Sequence, residues 1–265
     1  LVWSEQGIGD EIMFLSPLQQ LISDGATVVL ECSEKLVNIF SRSLPDVTVV
    51  SRTTPPKKDT LMSDIEFQLP LASLSRFYRK SSESFAVNSG EYLFPKTSLV
   101  AELNQRYRGL GDGPLVGICW KSGNLKVGAE RSIPLELWKQ ILLKKPCRFL
   151  SLQYGDSRSD TSIYENNSDI HIHVDEKVNP LDDAESWFAQ IATVDLVISV
   201  DNSTIQVSGS QGVPTWTLVN FNPEWRFGLR GEKNDWHPSM KVYRQTKEGD
   251  WESIISQVAD DFTSW

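Results

Sequence analysis

The chain has 265 residues, 40% hydrophobic and 23% charged, the ordinary balance of a soluble globular protein long enough for one large or two medium domains. Its net charge of −9 argues against a protein that coats nucleic acid, which needs a basic face. No run approaches the roughly 18 apolar residues of a membrane span, so no transmembrane segment is expected.

The opening residues Leu1-Val2-Trp3 read as a buried strand, followed at once by the turn Glu5-Gln6-Gly7-Ile8-Gly9-Asp10. This abrupt start, with no signal peptide, predicts a longer protein upstream. Ile12, Leu15, Leu18, Leu21 and Ile22 then recur at helical spacing. Strand, glycine turn and helix together open a nucleotide-binding α/β unit. Ile12 stands where a third glycine would complete the dinucleotide fingerprint, and no Gly-x-x-x-x-Gly-Lys-Ser/Thr loop occurs, which weakens dehydrogenase and ATPase readings. Asp10 suits the first turn of a helix but repels a phosphate there. The turn reads as a seat for a general base, the alternative being a plain helix-dipole partner. Its glycines are expected to clear space for an acceptor.

Further along, strands are expected at 26–32 and 47–50, with a helix at 34–43 capped by Ser33. A short strand at 65–71 and a short helix at 73–77 follow. Residues 79–90 are Ser-rich and read as a mobile loop near the ligand edge of the first unit. A helix at 98–107 leads to Gly109-Leu110-Gly111-Asp112-Gly113-Pro114, the strongest linker signal in the chain. A second cycle has strands at 115–120, 147–152, 170–174, 196–200 and, last, 215–219. Helices at 134–143, 184–193 and 205–211 separate them. A Trp-rich loop at 222–238 and an amphipathic helix at 251–262 end the chain. Strands alternating with helices predict parallel sheets. The domains expected are 1–110, 111–248 and a C-terminal helix at 249–265.

Ligands of such sheets bind at the strand C-termini, so a cleft between the halves is the expected site. Asp201-Asn202-Ser203-Thr204 joins a buried strand to a helix, whose free N–H groups and hydroxyls suit a diphosphate; a plain N-cap is the alternative. Lys121 and Arg131 flank another strand end and suit phosphate, or are solvated surface charges. Gln153 ends a third strand, where it reads a base edge or is an ordinary loop residue. His171 and His173 share a strand face without further ligands, so no metal is expected. No Gly-x-Ser-x-Gly elbow supports a serine hydrolase. Cys32, Cys119 and Cys147 read as buried free thiols of a reducing cytoplasm. Nine tryptophans exceed ordinary core needs and suit a sugar or base platform.

Seven segments in order carry a resemblance: Glu5 to Asp10, Gly117 to Trp120, Arg131-Ser132-Ile133-Pro134, Ser151 to Gly155, Leu196 to Asp201, Gly212 to Trp216 and Pro223-Glu224-Trp225-Arg226. Together the chain resembles the glycosyltransferase-like domain that follows tetratricopeptide repeats in many bacterial proteins. More distantly it is similar to the lipopolysaccharide heptosyltransferases of family 9. The resemblance implies an α/β GT-B-like fold, two Rossmann-like domains facing across a cleft, with the last helix crossing back onto the first. It implies Asp10 as catalytic base and Arg131 as a donor-phosphate ligand. Asp201, Asn202, Ser203, Thr204 and Gln206 would lie along the nucleotide diphosphate, with Glu5, Gln6, Gly7 and Gly9 on the acceptor side. Gln206 stands where the relatives usually carry histidine. The activity implied is inverting, metal-independent transfer from a nucleotide-diphosphate sugar to a glycan, lipid-linked or protein acceptor, with no cofactor. A non-catalytic nucleotide- or glycan-binding module and a nucleotide-sugar epimerase are the alternatives.

Overall fold

The computed structural model describes every residue except 87–89 and 167–168. Among the described residues, ten strands form two sheets, and every strand pair is parallel. β1 (Val2–Trp3), β2 (Val29–Cys32), β3 (Thr48–Ser51) and β4 (Leu69–Pro70) form the first, in the order β3-β2-β1-β4. β5 (Leu115–Cys119), β6 (Arg148–Ser151), β7 (Ile172–His173), β8 (Leu196–Val200), β9 (Thr215–Val219) and β10 (Met240–Arg244) form the second, in the order β10-β9-β8-β5-β6-β7. β5, β8 and β9 are buried at every residue, which is why they read as runs without a charged side chain. In each sheet the order reverses beside the first strand, between β1 and β4 and between β5 and β8. Ligand crevices open at such reversals, beyond the carboxyl ends of the strands.

Several expected elements differ in detail. The helical pattern from Ile12 to Ile22 is two helices, Ile8–Phe14 and Leu18–Ser23, parted at Pro17, which has no N–H to carry the ladder through. Of the strand expected at 65–71, only Leu69–Pro70 pairs. In the Ser-rich loop at 79–90, Ser82–Ala86 forms a 3-10 turn, and 87–89 lie outside the described residues. β9 is not the last strand: β10 runs alongside it from Met240 opposite Thr215 to Arg244 opposite Val219. Lys241 and Arg244 interrupt its apolar pattern and mask it in sequence. The final helix, Trp251–Ser264, does not carry its apolar stripe back to the first half. Ile254, Ile255, Val258 and Phe262 are buried with Trp138, Ile141, Leu142 and Phe149 of the second.

Other contacts join the halves. Ile12, Met13 and Phe14 share one buried cluster with Trp187, Phe188, Val207 and Trp236. The Ile8–Phe14 helix lies on the fully buried face of the Ser203–Ser210 helix. Thr97–Arg108 packs on Ala184–Ile191, where Arg106 and the Tyr107 hydroxyl both donate to Asp175, at 2.6 and 2.8 Å. Among the described residues no helix is long and apolar enough to cross a membrane.

Candidate active site between the halves

A cavity of about 400 Å³ opens where both sheets reverse. Its walls are Gly7, Ile8, Gly9 and Asp10 after β1, Ser122, Gly123 and Asn124 after β5, Tyr154 after β6, and Asp201, Asn202 and Ser203 after β8. Arg131, Gln206, Trp187, Pro180, Leu181 and Arg226 complete it. A neighbouring hollow of about 380 Å³ shares Tyr154, Pro180 and Leu181 and runs on to Gln153 and Asp175. A larger cavity, about 540 Å³, lies at the β7 edge around Cys147, Arg148, His171 and His173 and contains none of the expected site residues.

Charges of alternating sign cross the first cavity. Arg226 Nη1 donates to Asp10 Oδ1 at 2.9 Å, and its Nε lies 4.0 Å from Asp201 Oδ1. Arg131 Nη1 meets Asp201 Oδ2 at 3.0 Å, and its Nη2 donates to Glu224. Asp201 and Arg131 are sealed, their side chains 5% and 8% exposed, whereas the Asp10 side chain is 27% exposed. Burial pushes the Asp201 carboxyl up, and the Arg226 and Arg131 cations oppose that shift. The site thus holds three carboxylates against two guanidiniums.

Behind this row lies His237, fully enclosed, its pKa lowered to about 3 by burial first and the Arg226 charge second. The ring is therefore neutral near pH 7. Its Nε2 lies 2.8 Å from Gln206 Oε1 and donates there, which leaves Nδ1 without a partner among the described residues. The ring fits because position 209 is glycine: a Cβ there would lie 2.3 Å from His237 Cγ. Gln206 is thus backed by a neutral imidazole and lines the cavity itself.

The structure brings Asp10, Gly7, Gly9, Arg131, Asp201, Asn202, Ser203 and Gln206 together. It does not bring in the others. Lys121 Nζ turns to Asp160 Oδ1 at 2.5 Å. Gln153 is not a free base reader, because its Oε1 accepts from Lys121 N at 2.8 Å and Trp120 N at 3.1 Å, tying β6 to β5. Thr204 is buried behind the wall, and the Asn202 side chain caps its N–H at 2.9 Å. Glu5 and Gln6 border a shallow hollow with Asp10, Glu11 and Phe14. Gly9 lines the cavity where the first helix meets the second half. A Cβ there would lie 3.3 Å from Ser203 Oγ, a close but relievable contact between the two helices. The residues missed are Arg226 and Glu224. Their signal was the segment Pro223-Glu224-Trp225-Arg226, legible as a motif but silent about which carboxylate and arginine it reaches.

Two parallel α/β units with a cavity between their strand ends define a GT-B-like protein. Solved structures share the fold across nearly all of both chains. E. coli ADP-heptose LPS heptosyltransferase II matches with a TM-score of 0.69 and 12% identity, over 99% of this chain and 97% of that one. A family 9 glycosyltransferase from Veillonella parvula matches with a TM-score of 0.64 and 15% identity, over 99% and 96%. E. coli heptosyltransferase WaaC with ADP-2-deoxy-2-fluoro heptose matches with a TM-score of 0.58 and 11% identity, over 98% and 99%. In sequence the chain is 28% identical over 275 residues to Protein FlbA of Caulobacter vibrioides, covering 98% of this chain. It spans 45% of FlbA, less than half of that protein. No family model matches.

Proposed function

We propose that the chain is a glycosyltransferase, transferring a sugar with inversion from a nucleotide-diphosphate sugar to an acceptor hydroxyl. One observation carries this reading: a carboxylate of the first half, Asp10, faces two guanidiniums of the second, Arg131 and Arg226, in one cavity. Asp10 takes the acceptor proton as the oxygen attacks the anomeric carbon, and the bond to the diphosphate oxygen breaks. Such a base contributes about 10²–10⁴-fold. Arg131, Arg226 and Ser203 at the helix start stabilise the charge that develops on the departing diphosphate, without calling on a metal or cofactor. The hollow beyond Tyr154 has room for the nucleoside. The acceptor is a glycan, a lipid-linked glycan or a protein, and the setting is the cytoplasm.

The test is turnover of a panel of nucleotide sugars, comparing wild type with Asp10→Asn. The expected loss in the variant is about 10²–10⁴-fold; equal turnover removes Asp10 as base. A second reading, a binding module without turnover, is favoured by the fact that Asp10 and Arg131 both already hold protein counter-ions. Calorimetry that finds nucleotide binding while every donor stays intact selects it.

A further inference from the structure

Glu224 and Arg226 are two residues apart on one turn, yet they reach opposite ends of the charged row. Glu224 meets Arg131, the guanidinium a donor diphosphate needs. Arg226 meets Asp10 Oδ1, the atom an acceptor hydroxyl needs. The turn is fixed at its far end, and at its near end the Trp225 ring rests on Phe14 and Trp236, with centroids 6.1 and 5.9 Å away. Phe227 is buried with Val219, Met240 and Val242, Gly228 follows at φ +64°, and Arg244 donates to the Gly228 carbonyl at 3.2 Å. Trp225 between the two charged residues is 63% exposed, and the Glu224 side chain 36%. Arg131, by contrast, keeps a second partner, Asp201, that is sealed in. A carboxylate that is partly solvated is the easier of the two to displace from a buried arginine.

We propose that the Pro223–Arg226 turn is an internal latch, in which Glu224 holds the place of a diphosphate on Arg131 while Arg226 masks Asp10. A diphosphate entering the cavity displaces Glu224, the turn pivots about Phe227, and Arg226 leaves Asp10 for the new anion. Arg226 then pairs with the donor's phosphate, and the base is available only when the donor is bound. Water arriving without donor meets a masked carboxylate. The latch rests on the glycosyltransferase reading for its purpose, but on the ion pairs alone for its geometry.

The experiment is calorimetric titration of magnesium-free sodium pyrophosphate into the whole chain as wild type, Glu224→Gln, Arg131→Met and Glu232→Gln. Glu232, on the same loop, pairs with Lys241 at 3.6 Å and controls for the loss of one negative charge. Glu224→Gln is expected to bind roughly tenfold tighter than wild type, Glu232→Gln within about twofold, and Arg131→Met to lose binding. Equal binding by wild type and Glu224→Gln, or equal tightening by Glu232→Gln, overturns the latch and leaves the diphosphate site standing. No binding by any form, Glu224→Gln included, overturns both. Carbodiimide labelling of Asp10, read by peptide mass spectrometry, checks the second half of the movement. Saturating pyrophosphate is expected to raise wild-type labelling towards that of Arg226→Met, and unchanged labelling overturns the coupling.

Discussion

The two turns that meet in the cavity have the same plan and opposite characters. Each leaves the first strand or its neighbour at a sheet reversal, each opens a helix, and each carries one aspartate into the same charged row. Asp10 stands at the rim, a quarter exposed, with one arginine. Asp201 stands at the floor, sealed, between two. A sealed carboxylate with two fixed cations is suited to holding guanidiniums in position, and a rim carboxylate with one is suited to exchanging partners. On the proposed function, the first turn carries the base and the second holds the guanidiniums that meet the diphosphate.

Removing each charge breaks this comparison most directly. Asp201→Asn leaves Arg131 and Arg226 facing each other with the intervening charge gone, and is expected to cost about 3 kcal/mol. Asp10→Asn strips a partner from a part-solvated pair and is expected to cost under about 1 kcal/mol. Urea denaturation of both variants decides; equal costs would mean that Asp10 too is architectural.

Acid tests the floor of the second turn. The unfolded His237 takes a proton near 6.5, whereas the folded ring takes one only near 3. Between those values the unfolded state binds more protons, so stability rises with pH and falls on acidification. The slope contributed approaches roughly 1.4 kcal/mol per pH unit below 6.5. Wild type should therefore lose stability faster than His237→Gln from pH 6.5 to 5, a difference of about 2 kcal/mol. Parallel curves would show that the imidazole behind Gln206 is not held neutral.

The same contrast explains what sequence could and could not tell. Strands 196–200 and 215–219 were legible because full burial leaves a run without a charged side chain. Asp10 and Asp201 were legible because each stands at a strand end or helix start, where parallel sheets gather ligands, and Arg131 through the Arg131-Ser132-Ile133-Pro134 motif, although it closes the short Gly128–Arg131 helix. Lys121 and Gln153 stand at strand ends as well, but their local partners, Asp160 and the Trp120 and Lys121 amides, had already taken them. Strand-end position says that a side chain is near the crevice, not that it is free. Arg226 reaches Asp10 across 216 residues of chain, a pairing that no local pattern encodes. The last helix shows the same limit, since an amphipathic stripe announces a buried face but not its partner.

A glycine stands in the first turn, Gly9, and another near the far end of the helix that the second turn opens, Gly209, and here the two part company at the smallest scale. Gly209 faces the side of the enclosed His237 ring, and a Cβ there would lie 2.3 Å from Cγ and 2.7 Å from Nδ1. Neither ring nor helix has room to give, so Gly209→Ala is expected to cost about 2 kcal/mol by overpacking. A Cβ at Gly9 would meet Ser203 Oγ at 3.3 Å and Gln206 Cγ at 3.5 Å, contacts that side-chain adjustment can relieve. Gly9 also sits within the Ile8–Phe14 helix, where alanine gains up to about 1 kcal/mol in propensity. Gly9→Ala should therefore change stability by less than about 0.5 kcal/mol, read from its melting temperature beside that of Gly209→Ala. If it instead costs as much as Gly209→Ala, the first turn is pressed on the second as tightly as the second is on its own core. Asp10 would then belong to a rigid interface, and a rim that exchanges partners would be the wrong description of it.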